Sequence, residues 1–261
     1  MLTGTSVAVV GCGYVGLVSA ACLADVGADV TAIDTNAERV AMLCAGEPPI
    51  YEPGLREVIG RNMRARLRFT TDHKTVAGAA VVLVCVGTPS NPNGSCDTSA
   101  VFACVRQIAP YMDDDAVLVI RSTVPPGTAS RASDVAHAAA GRLIDVVSCP
   151  EFLAEGSALA DMRRSSRVVV GTASARAAAV VGRLFVPFVE NEDAVLVMSN
   201  ASAELTKYAN NTFLAARVSL INEIAAVATV AGADIEHVAK AVGSDPRIGS
   251  DYLKAGIGYG G

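Results

Sequence analysis

The sequence has no tryptophan, only three histidines, and no Cys-x-x-Cys pair among its seven cysteines. The missing tryptophan excludes nothing. His73, His137 and His237 stand far apart, and Cys12, Cys22, Cys44, Cys85, Cys96, Cys104 and Cys149 fall on predicted strands, helices and loops alike. No metal-ligand cluster can be read from that scatter, which fits reduced, mostly structural thiols. A basic excess is also lacking: 21 Lys and Arg against 26 Asp and Glu give a net charge of -5, without the electrostatic footprint of a nucleic-acid partner. No charged leader with a cleavage site precedes the first strand, and no unbroken apolar run reaches the roughly 18 residues of a membrane helix, so a cytoplasmic protein with no membrane partner is expected. Repeats and low-complexity linkers are missing as well. What remains, 51% hydrophobic and 18% charged over 261 residues, is a globular chain long enough for one large or two modest domains.

The stretch that organises the chain is Val7-Ala-Val-Val-Gly-Cys-Gly-Tyr-Val-Gly16. A buried strand leads into three glycines spaced G-x-G-x-x-G, and a helix is predicted over Tyr14 to Asp25. In this pattern Gly11 makes a tight turn, Gly13 lets backbone approach a pyrophosphate, and Gly16 lets helix pack on strand. The helix N-terminus, with its unpaired N–H groups and positive dipole end, suits an anion without a basic side chain. A second strand, Asp29 to Ile33, ends in Asp34. A carboxylate there accepts hydrogen bonds from ribose hydroxyls and repels a 2′-phosphate, which favours NAD over NADP. Arg39, five residues on, is placed where it could soften that repulsion, but is expected as a solvated arginine or an adenosine-phosphate contact.

The pattern continues as an α/β fold, a doubly wound Rossmann-type parallel sheet of about eight strands. Strands are expected near Leu67 to Thr70, Ala79 to Val86, Ala116 to Arg121, Leu143 to Val147, Val168 to Gly171 and Val195 to Met198. Three of them end in loops placed by the carboxyl-edge rule beside the ligand: Gly87-Thr-Pro-Ser90, Ser122-Thr-Val-Pro-Pro-Gly-Thr128, and Cys149-Pro-Glu-Phe-Leu-Ala-Glu-Gly156 with two carboxylates, Glu151 and Glu155. From Ala201 to about Ala231 there is no glycine or proline, and apolar residues recur at three and four spacing. This is one helix, about 45 Å long, a spine leading into a second domain. Residues 1–200 are therefore expected to form the dinucleotide-binding domain, and 201–261 the long helix with the start of a central helical domain. On that helix Lys207 and Asn211 share a face, a pair suited to orienting a substrate hydroxyl and stabilising an oxyanion.

In order and spacing, the Gly11 to Gly16 fingerprint, Val86-Gly-Thr-Pro89, Ser122 to Gly127, Pro150 to Gly156, Lys207-Tyr-Ala-Asn-Asn211 and Arg247-Ile-Gly through Gly258-Tyr-Gly-Gly261 resemble the UDP-glucose 6-dehydrogenase family. That resemblance implies oxidation of the C6 alcohol of UDP-glucose to a carboxylate with two NAD, through a thiohemiacetal and then a thioester on a cysteine. It implies NAD contacts from Gly11, Gly13, Tyr14, Val15, Gly16, Asp34, Arg39, Thr88, Thr123 and Glu155. It implies sugar-nucleotide contacts from Glu151, Phe152, Leu153, Ala154, Glu155, Lys207, Asn211, Arg247, Tyr252, Leu253, Lys254, Ala255, Gly256 and Gly260. In the same reading Thr123 and Glu155 handle protons through water, Lys207 and Asn211 stabilise the developing oxyanion, and the 201–231 helix makes a homodimer.

Departures from the family pattern are Cys149 where asparagine is usual, Asn210 where a small residue is usual, and Ser165-Ser166 where Pro-Asp is common. The family motif continues beyond Gly-Tyr-Gly-Gly to the nucleophilic cysteine and a nucleotide-binding C-terminal domain. These 261 residues are accordingly expected to bind NAD without turning over substrate, Cys149 being the one cysteine near the inferred site. Alternative readings are a dehydrogenase of GDP-mannose or UDP-N-acetylmannosamine, a β-hydroxyacid dehydrogenase, against which Pro150 to Gly156 argues, and a non-catalytic NAD-binding or dimerisation fragment.

Overall fold

A computed structural model describes residues 2–258 and divides the chain into two compact units, Met1–Leu205 and Thr206–Gly261. In chain order the first unit carries β1 (Ser6–Val10), α1 (Tyr14–Asp25), β2 (Asp29–Ile33), α2 (Ala37–Cys44), α3 (Leu55–Asn62), β3 (Leu67–Thr70), β4 (Val81–Val84), α4 (Ser99–Ile108), β5 (Val117–Ile120), α5 (Thr128–Ala140), β6 (Asp145–Ser148), α6 (Ala158–Arg163), β7 (Val168–Gly171), α7 (Ala175–Phe185) and β8 (Val195–Met198). The long helix α8 (Asn200–Ala231) begins in this unit and runs through the second, where α9 (Ile235–Gly243) follows.

The eight strands form one sheet in the order β3-β2-β1-β4-β5-β6-β7-β8. Strands β4 and β5, Val-Val-Leu-Val and Val-Leu-Val-Ile, are buried at every residue, as expected of parallel strands covered on both faces. One apolar layer gathers α1, α3, α6 and α7 on one face; the other gathers α4 and α5 on the opposite face. Strand order reverses between β1 and β4, so the crevice at their carboxyl ends is the switch point where α/β sheets take ligands.

The sheet departs from the expected all-parallel form at one place. Strand β7 is antiparallel to β6, and the two meet at a single residue pair, Ser148 with Gly171, the last residue of each. The one helix between them is α6, six residues or about 9 Å, in a 149–167 link that is otherwise loop and turn. The link does not return the chain to the opposite edge, so β7 enters from the carboxyl side. Because β7 overlaps so little of β6, the side chain of Asn200 serves that edge: its Oδ1 accepts from the Ser148 N–H at 2.9 Å.

A buried carboxylate fixes the first turn of α8. Glu204, 2% exposed, accepts from the N–H groups of Gly127 at 2.6 Å and Ala129 at 2.7 Å and from the Ser148 hydroxyl at 3.0 Å. Helix α5 has no side-chain cap of its own at Gly127, so Glu204 satisfies its open N–H groups and complements its dipole. Further along, Phe213, Leu220 and Val227 stand exposed at seven-residue spacing, which returns to one face of the helix. Helix α8 contains an 18-residue window of mean hydropathy 1.6, so by length and composition alone it is long and apolar enough to cross a membrane. A search for an unbroken apolar run passes over it because Lys207, Arg217 and Glu223 interrupt the run. Gly232, with φ +69°, ends it.

Asp25 at the end of α1 stitches three helices together. It accepts two bonds from Arg61, at 2.7 and 2.6 Å, one from Asn62 at 3.2 Å and one from Arg163 at 3.0 Å. The Arg61 bonds, outweighing burial, hold its carboxyl below the usual range. A lowered folded-state pKa contributes stability that is present above the unfolded pKa near 4 and is lost as pH falls through the folded value. Discounted for the exposure of both arginines, Asp25→Asn is expected to cost roughly 1–2 kcal/mol at pH 7. In urea unfolding at a series of pH values, the gap between parent and variant should close below about pH 4.

Candidate functional site at the carboxyl edge of the sheet

The three glycines of the first turn divide by what excludes a side chain. A Cβ on Gly11, which has φ +101°, would lie 2.7 Å from the Cys85 carbonyl oxygen, and one on Gly16 would lie 1.8 Å from the Gly11 oxygen. Both are required by the packing of α1 and β4 around the turn. A Cβ on Gly13 meets nothing within 4 Å. Gly13 is the N-cap of α1 and offers no side-chain acceptor, so the first N–H groups of that helix face open space. An anion fits there, and the residues present suit the pyrophosphate of a dinucleotide.

Asp34 is held ready beside this turn. It is buried and accepts from the Cys12 N–H at 2.8 Å, from the Asn36 N–H at 2.9 Å, and from Nη1 of Arg39 at 3.0 Å. Arg39 is therefore an ion-pair partner of Asp34 and keeps 38% of its side chain exposed. The pairing follows from the Asn36 cap, whose side chain accepts from the Arg39 N–H and sets Arg39 in the first turn of α2.

Loops after β4 and β5 are tied to each other. The Thr88 hydroxyl donates to the Thr123 carbonyl at 2.8 Å, and the Ser122 hydroxyl donates to the Val86 carbonyl at 2.7 Å. Cys96 also lies here, its sulfur 3.9 and 3.8 Å from the Thr88 and Thr123 carbonyl oxygens. This corrects the expectation that Cys149 is the one cysteine near the site. Cys149 is fully buried at the sheet edge, and burial pushes its thiol up, an environment that disfavours the thiolate. The local bridge between Ser90 and Cys96, which folds the 91–95 turn back over the edge, carries no signal in the sequence pattern.

The loop after β6 is the most heavily anchored. Glu52, buried in the proline-rich loop before α3, accepts from the Gly156 N–H at 3.0 Å, the Leu159 N–H at 3.2 Å and the Tyr14 hydroxyl. The Gly156 N–H also donates to the Tyr14 oxygen at 2.7 Å. Burial, followed by the hydrogen bond to Glu52, raises the Tyr14 phenol well above its ordinary pKa, keeping it a donor. The glycine turn and the 151–156 loop are thus joined through one carboxylate. Within the loop Glu151 accepts from the Leu153 N–H at 2.6 Å, Ala154 donates to Asp161 at 2.9 Å, and the Arg167 guanidinium lies 4.0 Å from the centre of the Phe152 ring. Glu155 is exposed. The first unit accordingly gathers Gly11 to Gly16, Asp34, Arg39, Thr88, Thr123 and Glu151 to Glu155 at its carboxyl edge.

The remaining predicted residues belong to the second unit. Lys207 is buried and Asn211, one turn along α8, is exposed. The segment after α9 is tethered to α8 by Arg217, which donates to the Ile248 and Gly249 carbonyls at 2.7 and 2.8 Å, and by Asn222, which exchanges two bonds with Gly256 at 2.8 and 2.9 Å. Arg247 pairs with Asp245 at 2.6 Å. Tyr252 has φ +59°, the one non-glycine residue with positive φ among the described residues, a strained conformation of the kind held at ligand sites. Leu253 packs near Gly243, and Lys254 and Ala255 lie in the same loop. Gly260 lies outside the described residues.

Gly13 and Gly16 separate binding from folding. Gly13→Ala is expected to leave the thermal midpoint within about 3 °C of the parent while weakening dinucleotide binding at least tenfold by calorimetry, because its new methyl fills only the ligand's space. Gly16→Ala should lower the midpoint by far more, at a cost of about 3 kcal/mol or above, because backbone must move.

Residues 5–189 match the NAD binding domain of the UDP-glucose/GDP-mannose dehydrogenase family, and residues 201–261 match the central domain of the same family. A UDP-glucose 6-dehydrogenase of Pseudomonas aeruginosa is 44% identical over 260 residues, covering 97% of this chain and 57% of the relative. The TuaD UDP-glucose 6-dehydrogenase of Bacillus subtilis is 42% identical, covering 98% and 56%. Among solved structures, a UDP-glucose dehydrogenase from Pyrobaculum islandicum superposes with a TM-score of 0.90 at 42% identity, covering 98% of this chain and 60% of that one. A GDP-mannose dehydrogenase from P. aeruginosa gives 0.87 at 29%, covering 92% and 56%. The chain spans under two thirds of the length of these relatives. With both domain types matched in order over most of its residues, the chain belongs to the UDP-glucose/GDP-mannose dehydrogenase family.

Proposed function

We propose that the chain supplies the NAD-binding and central portions of a UDP-glucose 6-dehydrogenase, which oxidises UDP-glucose to UDP-glucuronate. The observation that carries this reading is the carboxyl-edge assembly in which the uncapped N-terminus of α1, the pre-set Asp34 carboxylate and the anchored 151–156 loop sit on one sheet edge. UDP-glucose is favoured over GDP-mannose and UDP-N-acetylmannosamine because named relatives at 41–44% identity act on it, while the GDP-mannose and UDP-N-acetylmannosamine dehydrogenase structures lie at 25–29%.

In this reading the first turn of α1 would hold the pyrophosphate and Asp34 the adenosine ribose. Thr88 and Thr123 would border the nicotinamide, which would supply the hydride acceptor. Thr123 and Glu155 pass protons through water, Lys207 and Asn211 stabilise the oxyanion that develops at C6, and Glu151 to Ala154, Arg247 and Tyr252 to Gly256 hold the sugar nucleotide. None of the cysteines serves as the thiol that carries the acyl group. Five are buried, Cys44 lies at the end of α2, and Cys96 is turned onto the Thr88 and Thr123 carbonyls.

The exposed seven-residue stripe of Phe213, Leu220 and Val227 supports a homodimer through α8. Light scattering at micromolar concentration should report two copies, and Phe213→Glu with Leu220→Glu should give a monomer.

NAD should bind more tightly than NADP. Asp34→Ala should narrow or reverse that gap, since it frees Arg39 to meet a 2′-phosphate. A polypeptide of residues 1–261 should bind NAD and release no NADH with UDP-glucose. The reaction should appear, with two NADH per UDP-glucuronate, when the family's cysteine and nucleotide-binding domain are joined to it. Sustained turnover by the shorter polypeptide, or a preference for GDP-mannose by the longer one, would overturn the reading.

A further inference from the structure

Behind the 151–156 loop, wholly within the first unit, lies a cavity of about 160 Å³. Its wall includes Arg121 from the end of β5, Phe185 of α7, Glu151 and Asp161, and Arg164 with Arg167 from the segment leading into β7. That volume is far above the ~10–15 Å³ one water needs and well below the roughly 300 Å³ at which pockets for larger organic ligands begin. It suits a small ion.

Arg121 is the anomaly in this wall. It is 4% exposed, a nearly desolvated guanidinium. Its Nη1 lies 3.4 Å from both the carbonyl oxygen and the sulfur of Cys149, its guanidinium carbon lies 4.7 Å from the centre of the Phe185 ring, and its Nε has no partner. Among the described residues no carboxylate forms an ion pair with it. A carbonyl, an aromatic face and a thiol that burial keeps protonated supply partial charges, whereas a buried cation calls for a counter-ion.

The acidic groups of the wall are engaged with the backbone of the loop. Glu151 accepts from Leu153, and Asp161 accepts from Ala154 and from the Ser157 hydroxyl at 3.0 Å. Arg167 donates to Ser166 at 3.0 Å and stacks on Phe152, and Arg164 is exposed at the rim. The least solvated charge in this wall, that of Arg121, lacks a carboxylate partner among the described residues.

We propose that this cavity binds a phosphate-class oxyanion, which supplies the counter-ion of Arg121 and, through the shared wall of Glu151 to Leu153, stiffens the 151–156 loop. The ion is free rather than part of a nucleotide, on the ground of volume. The site is separate from the α1 N-terminus, where a dinucleotide pyrophosphate would lie, and the two are told apart by competition.

The test is thermal unfolding and calorimetry of the protein with inorganic phosphate against chloride at matched ionic strength, with and without saturating NAD. Saturable stabilisation by phosphate that persists in NAD is expected. Arg121→Met, which keeps the apolar stem and removes the charge, should be at least as stable as the parent without phosphate and bind phosphate at least tenfold more weakly. Arg164→Ala at the rim should weaken binding at least threefold and decides the matter if Arg121→Met does not fold, while Arg106→Gln on the opposite face should change nothing. Equal phosphate and chloride effects, loss of the phosphate effect in NAD, or an undiminished effect in the folded Arg121 variant (in Arg164→Ala, if the former is unfolded) would overturn the proposal.

Discussion

The first turn of the sheet depends on how closely two pieces of backbone approach. With 1.8 Å between a would-be Gly16 Cβ and the Gly11 oxygen, and 2.7 Å between a would-be Gly11 Cβ and the Cys85 oxygen, α1 can sit on the β1–β4 crevice only if both positions lack a side chain. That contact points the open end of α1 at the switch point of the sheet and puts Tyr14 within reach of Glu52. Everything at the carboxyl edge is arranged around this turn: Asp34 bonds back to it through Cys12, and the 151–156 loop bonds to it through Glu52 and Tyr14. A ligand with a pyrophosphate meets a surface whose shape is set before it arrives.

Charge at this edge is used in pre-formed pairs. Asp34 already neutralises Arg39 and is already oriented by two backbone N–H groups, so discrimination between dinucleotides rests on which acceptor positions remain open as much as on net repulsion. Glu52 and Glu204 follow the same rule at a deeper level. Each is a buried carboxylate satisfied almost entirely by N–H groups near a helix start, Glu52 at α6 and Glu204 at α5, where dipole and hydrogen bonds offset the cost of burial.

Much of this was readable in the chain before any coordinates. The strand-glycine-helix opening, Asp29 to Ile33 ending in Asp34, the three strand-end loops and the long helix closed by Gly232 all carry local signals: periodicity, glycine spacing and carboxyl-edge position. What was not readable depends on partners distant in sequence. Glu52 lies in a loop too rich in proline to suggest order, and its role exists only once Gly156 and Leu159, more than a hundred residues on, are placed against it. The reversal of β7 has no local mark either, because an apolar run of three valines and a glycine reads the same in both directions. Arg121 reads as the polar end of a strand until burial shows it without a carboxylate partner.

Glu204 has a consequence for the order in which the protein is made. The N–H groups it caps at the start of α5 lie 75 and 77 residues earlier in the chain. At a synthesis rate of roughly 5–20 residues per second, α5 waits some 4–15 s on the ribosome for its cap. In that interval β6, β7 and β8 are themselves being made, and the helix end is still open when the last of them is complete. The Rossmann unit is therefore finished not by its last strand but by the first turn of the helix that leaves it, and a nascent chain halted before residue 204 would hold a nearly complete sheet that has not yet locked.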